Sequence, residues 1–235
     1  EKKGATEEAI CEYKEALRLA EAAQDDHLLV KISVSLGDLY NRTGRWEESR
    51  ECLENGLSWA KGPDDLLRTS KHYMELTQAA TGPGGSAGFL DRVKAYFTRR
   101  QSARSRSVSM IYDRISALYL QREDWEQAAR LHQQARDMFE KGQDLQNLAK
   151  SHNNLGMALK HMNDTLGAIR EYKAALEVLK RTGDRRAQGI TCYNLAVAYD
   201  SLGNKAQKGM FLKKAREAFE GLGLKQELGA LSELD

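Results

Sequence analysis

Residues 154–158 read Asn154-Leu155-Gly156-Met157-Ala158, and residues 194–198 read Asn194-Leu195-Ala196-Val197-Ala198. The offset is 40 residues, and the downstream landmarks keep it: Ala168, Tyr172 and Ala175 fall on Lys208, Leu212 and Ala215. Forty residues before Ala168 and Ala175 stand Ala128 and Ala135, and 40 before Leu155 and Leu159 stand Ile115 and Tyr119. Self-similarity at a fixed period of this length marks stacked supersecondary units, each unable to bury its apolar face alone.

The same pattern runs toward the N-terminus. Leu36-Gly37 and Tyr40 are followed by Ser49, Leu53 and Gly56, and 40 residues before the second set stand Ala9, Tyr13 and Ala16. Ser49 to Ala128 spans 79 residues, so one further unit fits between them with a single-residue deletion. Within a unit, apolar residues recur at three- and four-residue steps, as in Leu148, Leu155, Ala158, Leu159 and Met162. After the polar turn Asn163-Asp164 the rhythm resumes with Ala168, Ile169, Tyr172, Ala175, Leu176 and Leu179. That is the spacing of two amphipathic helices. Small Gly156, Ala168 and Ala175 let the pair approach closely, and Tyr172 or Leu212 fills the space beside them. Gln24-Asp25-Asp26, Gly62-Pro63-Asp64, Gly142-Gln143-Asp144 and Gly183-Asp184 punctuate the units. Glycine ends one helix and Asp caps the next.

The expected fold is all-α, a right-handed superhelical solenoid of antiparallel helix hairpins forming one array over 1–235. Its parts are the second helix of a truncated repeat at 5–26, repeats at 27–62, 107–142, 143–182 and 183–222, and a capping helix at 223–235. A degenerate repeat with a Gly-rich loop and a basic linker occupies 63–106.

Composition agrees with a packed protein: 41% of residues are hydrophobic and 30% charged. Thirty-six basic residues against 34 acidic ones leave a net charge of +2, so the bulk charge points to neither nucleic acid nor an acidic membrane. Cys11, Cys52 and Cys192 lie far apart, contain no CxxC pair and are odd in number, against a disulfide framework. They read as small apolar residues in helix interfaces. No apolar run reaches the roughly 18 residues of a membrane span, and Glu1-Lys2-Lys3-Gly4 reads as an interior start rather than a signal peptide. The expected location is intracellular and cytoplasmic, with nuclear or ciliary placement left open.

These residues resemble the tetratricopeptide repeat family, which favours Leu-Gly and an aromatic in its first helix. Its second helix favours Ala, an aromatic and Ala. Leu36-Gly37-Tyr40 and Leu155-Gly156 match the first set; Ala9-Tyr13-Ala16 and Ala168-Tyr172-Ala175 match the second. Gly44-Arg45-Trp46-Glu47-Glu48-Ser49 and Asp124-Trp125-Glu126-Gln127-Ala128 resemble the family's entry into its second helix. The 40-residue period is similar to that of a longer-helix subtype including kinesin light chains and Leu-Gly-Asn-repeat proteins. Departures are Ser49 and Lys208 in place of Ala, Ala196 in place of Gly, and the near absence of the motif between 64 and 106.

The resemblance implies a concave groove lined by first helices that receives an extended or helical protein segment. Its ligand-contacting positions fall on Asn154 and Asn194, with Arg114 and Ser35 at the equivalent places. Asn153, Lys150, Lys160, Tyr193, Asp113, Lys31 and Arg42 are their neighbours. An amide suits a peptide backbone because it donates and accepts. Lys31, Arg42, Arg114, Lys150 and Lys160 outnumber Asp38, Asp113 and Asp200, which favours an acidic partner. The alternative is that Asn154 and Asn194 only tie neighbouring helices together.

The middle of the chain is irregular. Thr81-Gly82-Pro83-Gly84-Gly85-Ser86-Ala87-Gly88 is a breaker-rich loop, and Phe89, Leu90, Val93, Tyr96 and Phe97 come next at helical spacing. Arg92, Lys94, Arg99, Arg100, Arg104 and Arg106 then occur without an acid, interleaved with Ser102 and Ser107. This stretch reads as a degenerate helix with a solvated basic linker, as a phosphoregulated site in which phosphate reverses the local charge, or as a contact for an acidic ligand.

Catalytic constellations are missing from the sequence. His27, His72, His132, His152 and His161 offer no metal-binding i, i+4 pair, and His132 stands where the repeat wants a bulky packing residue. Gly82-Pro83-Gly84-Gly85 lacks the Lys-Ser/Thr of a nucleotide loop. The reading is therefore a non-enzymatic scaffold or adaptor with no cofactor, no metal and no small-molecule substrate. Its partner is a protein or peptide; nucleic acid and membrane are disfavoured, and self-association through the solenoid ends is open. The competing reading is the sensing or regulatory arm of a larger enzyme or receptor.

Overall fold

The computed structural model describes residues 2–61 and 105–232 together with Leu234, with side chains from residue 6 onward. Among them every regular element is a helix. In order these are α1 (Lys2–Ala22), α2 (Asp26–Arg42), α3 (Trp46–Lys61), α4 (105–121), α5 (Trp125–Lys141) and α6 (Leu145–His161). They continue with α7 (Thr165–Thr182), α8 (Arg185–Ser201), α9 (Lys205–Glu220) and α10 (Lys225–Ser232). The chain divides into two compact units, Glu1–Leu118 and Tyr119–Asp235.

In the second unit, α5 to α9 start 20 residues apart, and one turn design joins them. Glu123, Gln143, Asn163, Gly183, Gly203 and Gly223 all take positive φ between 53° and 72°. After the first five the next residue is Asp124, Asp144, Asp164, Asp184 or Asn204, whose side chain accepts the backbone N–H three residues on and caps the following helix. At Asp124, Asp144, Asp164, Asn204 and Leu224 the backbone N–H also reaches back five residues to a helix carbonyl at 2.9–3.0 Å. That closes a Schellman turn and satisfies the last carbonyls of the preceding helix.

Packing obeys a small-against-large logic. Tyr172 is 1% exposed, and a Cβ on Gly156 would lie 2.6 and 2.8 Å from its Cε1 and Cδ1 atoms. The ring thus occupies the space a first-helix side chain would need. Equivalent places in other second helices hold Leu53, His132 and Leu212, all buried. Leu195, Leu212, Phe219 and Leu231 continue the same core through α8 to α10. Overpacking a buried ring costs about 1–3 kcal/mol, against about 1 kcal/mol regained when Ala replaces a mid-helix Gly. Gly156→Ala is therefore expected to lower stability by up to a net ~2 kcal/mol, read as a shift of the urea midpoint at unchanged slope.

The first unit is built alike. Ile10 of α1 packs with Leu36 and Tyr40 of α2, and Ala20 with Leu29 and Ile32. A Cβ on Gly56 of α3 would meet Ser33 of α2 at 2.9 Å and Ile111 of α4 at 3.7 Å. Ser49, a departure from the small Ala, is fully buried and donates its hydroxyl to the Gly37 carbonyl at 2.7 Å. Lys208, the other departure, turns its ammonium to Asp200 at 3.0 Å.

Cys192 is buried and Cys52 half-buried, and burial pushes both thiols up to about 11. Cys11 differs from the expected interface cysteine: it lies exposed on α1.

Candidate functional site

The groove assigned by resemblance falls on first helices, α6 and α8 in the second unit. These two touch each other as well as their own second helices. On α6 the residues outside the core stripe are Lys150, Asn153, Asn154, Met157 and Lys160; on α8 they are Ile190, Tyr193, Asn194 and Val197. Their three- and four-residue spacing puts each set along one helix face.

The two asparagines singled out from the sequence have different surroundings. Asn194 donates its amide to the Asn153 side chain, Nδ2 to Oδ1 at 3.1 Å, tying α8 to α6. Asn154 is half-buried and makes no hydrogen bond from its side chain among the described residues. The alternative reading, an amide linking neighbouring helices, thus describes Asn194 through Asn153, while the amide of Asn154 is left open. Tyr193 is half-buried against the α7–α10 core. Lys160 is half-buried in the last turn of α6 and has no acid partner among the described residues. Lys150 is exposed and lies near His132, helping to hold that imidazole's pKa down.

In the first unit, Arg114 of α4 already pairs with Asp38 of α2 at 3.1 Å. The pair removes one cation and one carboxylate from the lining counted in the sequence, so the basic excess there is unchanged. Asp113 is half-buried on α4, while Lys31 and Arg42 are exposed on α2. Of the basic stretch, Arg92, Lys94, Arg99, Arg100, Ser102 and Arg104 lie outside the described residues. Arg106 is exposed and Ser107 half-buried, both within α4.

Two residues on the α6–α8 face escaped sequence reasoning: Met157 is 36% exposed and Ile190 38% exposed. Both are large apolar side chains off the buried stripe of their helices. That is the available signal, since an apolar residue there does not serve the core. The face combines apolar surface, amides and a half-buried lysine. Among the described residues no cluster of His, Cys, Asp or Glu could hold a metal, and no helix is long and apolar enough to cross a membrane.

Residues 149–178, which contain most of α6 and α7, match the family model described as Tetratricopeptide repeat. This chain thus contains a tetratricopeptide repeat within α6 and α7. Its all-α repeat solenoid is shared with solved structures. The apo form of RapI gives a TM-score of 0.66 at 11% identity, covering 96% of this chain and 68% of that one. BtubC (BKLC) from P. vanneervenii gives 0.65 at 17% identity over 98% of this chain and 84% of that one. Aspartyl phosphate phosphatase F from Bacillus subtilis gives 0.67 at 13% identity; 94% of this chain covers 48% of that protein, so the chain spans about half its length. At such identities the likeness is one of fold. A comparison with the curated proteins gives no match by sequence.

Proposed function

We propose that this tetratricopeptide-repeat chain is a protein-interaction scaffold whose α6–α8 face binds a segment of a partner protein. The observation that supports it is the exposure of Met157 and Ile190 on the face that also carries Asn153, Asn154 and Asn194. Buried apolar anchors supply most of the affinity of such contacts, and amides satisfy a backbone that would otherwise lose its water. A catalytic reading finds less support, because burial raises the Cys52 and Cys192 thiols to about 11 and leaves them protonated.

The test places a photo-crosslinking residue at position 157 in the full chain and identifies the protein captured from lysate. Binding of that protein, purified, is then measured to the native chain and to Met157→Arg/Ile190→Arg. Both sites are exposed, so folding should change by no more than about 0.5 kcal/mol per site. The expected result is a loss of binding of about tenfold or more. Equal affinity of the folded variant removes this face as the interface.

A further inference from the structure

The outer side of α7 and α9, away from the face proposed above, carries a second feature. Tyr199 of α8 and Phe211 of α9 stack with ring centroids 5.6 Å apart and planes 7° from parallel. An ammonium stands over each ring: Lys173 of α7 lies 5.7 Å from the Tyr199 centroid, and Lys214 of α9 lies 5.3 Å from that of Phe211. Cation–π contact holds a lysine in place without neutralising it.

The surrounding charge is unbalanced. Glu171 is turned to His152 at 2.7 Å and Arg136 at 3.4 Å, Glu177 is paired with Lys180, and Asp200 with Lys208. Asp184 caps α8. Arg170, Lys173, Arg181, Lys213 and Lys214 are exposed and have no acid partner among the described residues. Opposing them, Glu217 and Glu220 occupy only the last turn of α9. By contrast, on α5 Arg130 pairs with Glu126 and Arg136 with Asp137.

We infer that the outer face of α7 and α9 is a second docking surface, which takes an acidic, extended segment of a protein on the Lys173 and Lys214 ammoniums. Charge complementarity argues for the acidic segment. Lys173 and Lys180 lie two helical turns apart, about 10 Å, which an extended chain covers in about three residues. Carboxylates at that interval can meet both, and the exposed Glu177–Lys180 pair is weak enough to exchange. The rings beneath are buried at 9% and 5% exposure, so they offer a bilayer no aromatic wedge. A peptide therefore suits the surface better than a lipid headgroup layer.

The probe is a fluorescent oligoglutamate peptide, titrated by anisotropy onto the full chain at about 0.05 M salt, where screening is weak. Three variants are compared: Lys173→Glu/Lys214→Glu, Lys173→Met/Lys214→Met, which keeps apolar cover over the rings, and Lys141→Glu/Lys225→Glu, exposed lysines of α5 and α10 outside both surfaces. Circular dichroism verifies that each is folded. The expected result is roughly tenfold weaker binding for the Glu pair, a smaller loss for the Met pair, and native binding for Lys141→Glu/Lys225→Glu. Native binding by the folded Glu or Met pair overturns the inference, as does an equal loss for Lys141→Glu/Lys225→Glu. Vesicles containing phosphatidylserine form the second arm. If they compete the peptide away, and the Lys173 and Lys214 variants lose the vesicles as strongly, the surface is one for acidic lipid and the inference fails. The proposed partner-binding face is untouched by either result, since its own variants are read separately.

Discussion

Tyr172→Ala is expected to destabilise the 119–235 unit by about 3–5 kcal/mol, the range for removing a buried aromatic from a packed core. The side chain is 1% exposed, lies between α6 and α7, and fills the space left by Gly156. Helix backbones held by caps at Asp144 and Asp164 form the walls of the gap, which limits collapse into it. In a stacked array each hairpin is stabilised by its neighbours, so loss here should also expose α8 to faster exchange. Hydrogen exchange of α6–α8 amides and urea unfolding read the effect. Leu222→Ala is the control, since Leu222 is 44% exposed and its removal should be near neutral. A Tyr172→Ala loss below about 1 kcal/mol would show that the packing described is not what holds the hairpin.

The second large effect is on acid stability. His132 sits 4% exposed at the packing position of α5, and burial, with a smaller push from Lys150, lowers its pKa from 6.5 to about 4. Because the folded-state value is depressed, the unfolded chain binds the proton more tightly. The stabilising difference is complete above pH 6.5 and is lost as the pH falls toward about 4. At about 1.4 kcal/mol per unit this amounts to roughly 3 kcal/mol. His132→Leu, which places there the residue type found at positions 53 and 212, should remove that part of the pH dependence while keeping the fold. The check is the urea midpoint of both proteins at pH 7 and pH 4.5. Parallel losses in the two would overturn the assignment to His132.

The fold was legible because its signals are local and repeated. Leu-Gly in one helix and Ala-Tyr-Ala in the next fix both the helical period and the close approach, and Gly156 against Tyr172 is the realised form of that pattern. The departures were legible as departures but not as contacts. That Ser49 finds the Gly37 carbonyl, or Lys208 the Asp200 carboxylate, depends on where an opposing helix places its groups. The candidate site was less legible for the same reason. Asn154 and Asn194 are identical in the repeat register, yet only Asn194 has an amide partner across the interface, Asn153. Arg114 read as a free groove cation until Asp38 was brought beside it from a helix more than 70 residues earlier. Met157 and Ile190 were passed over because a sequence shows that a residue is apolar, not that the core has no use for it.

The turns of the second unit carry a further consequence. The turn within a hairpin and the turn between hairpins share the left-handed residue and, from Asp124 to Asn204, the same Asp or Asn cap. The caps therefore do not mark where one repeat stops and the next begins. Only side-chain volume, such as Tyr172 against Gly156 or Phe219 against Gly189, states which helices belong together. For a chain still finding its structure, α6 can close first on α5 or on α7 over equally short loops, at nearly equal entropic cost. Folding then has several interchangeable starting points rather than one obligatory nucleus. A substitution that slows one of them should leave the overall folding rate less affected than the stability.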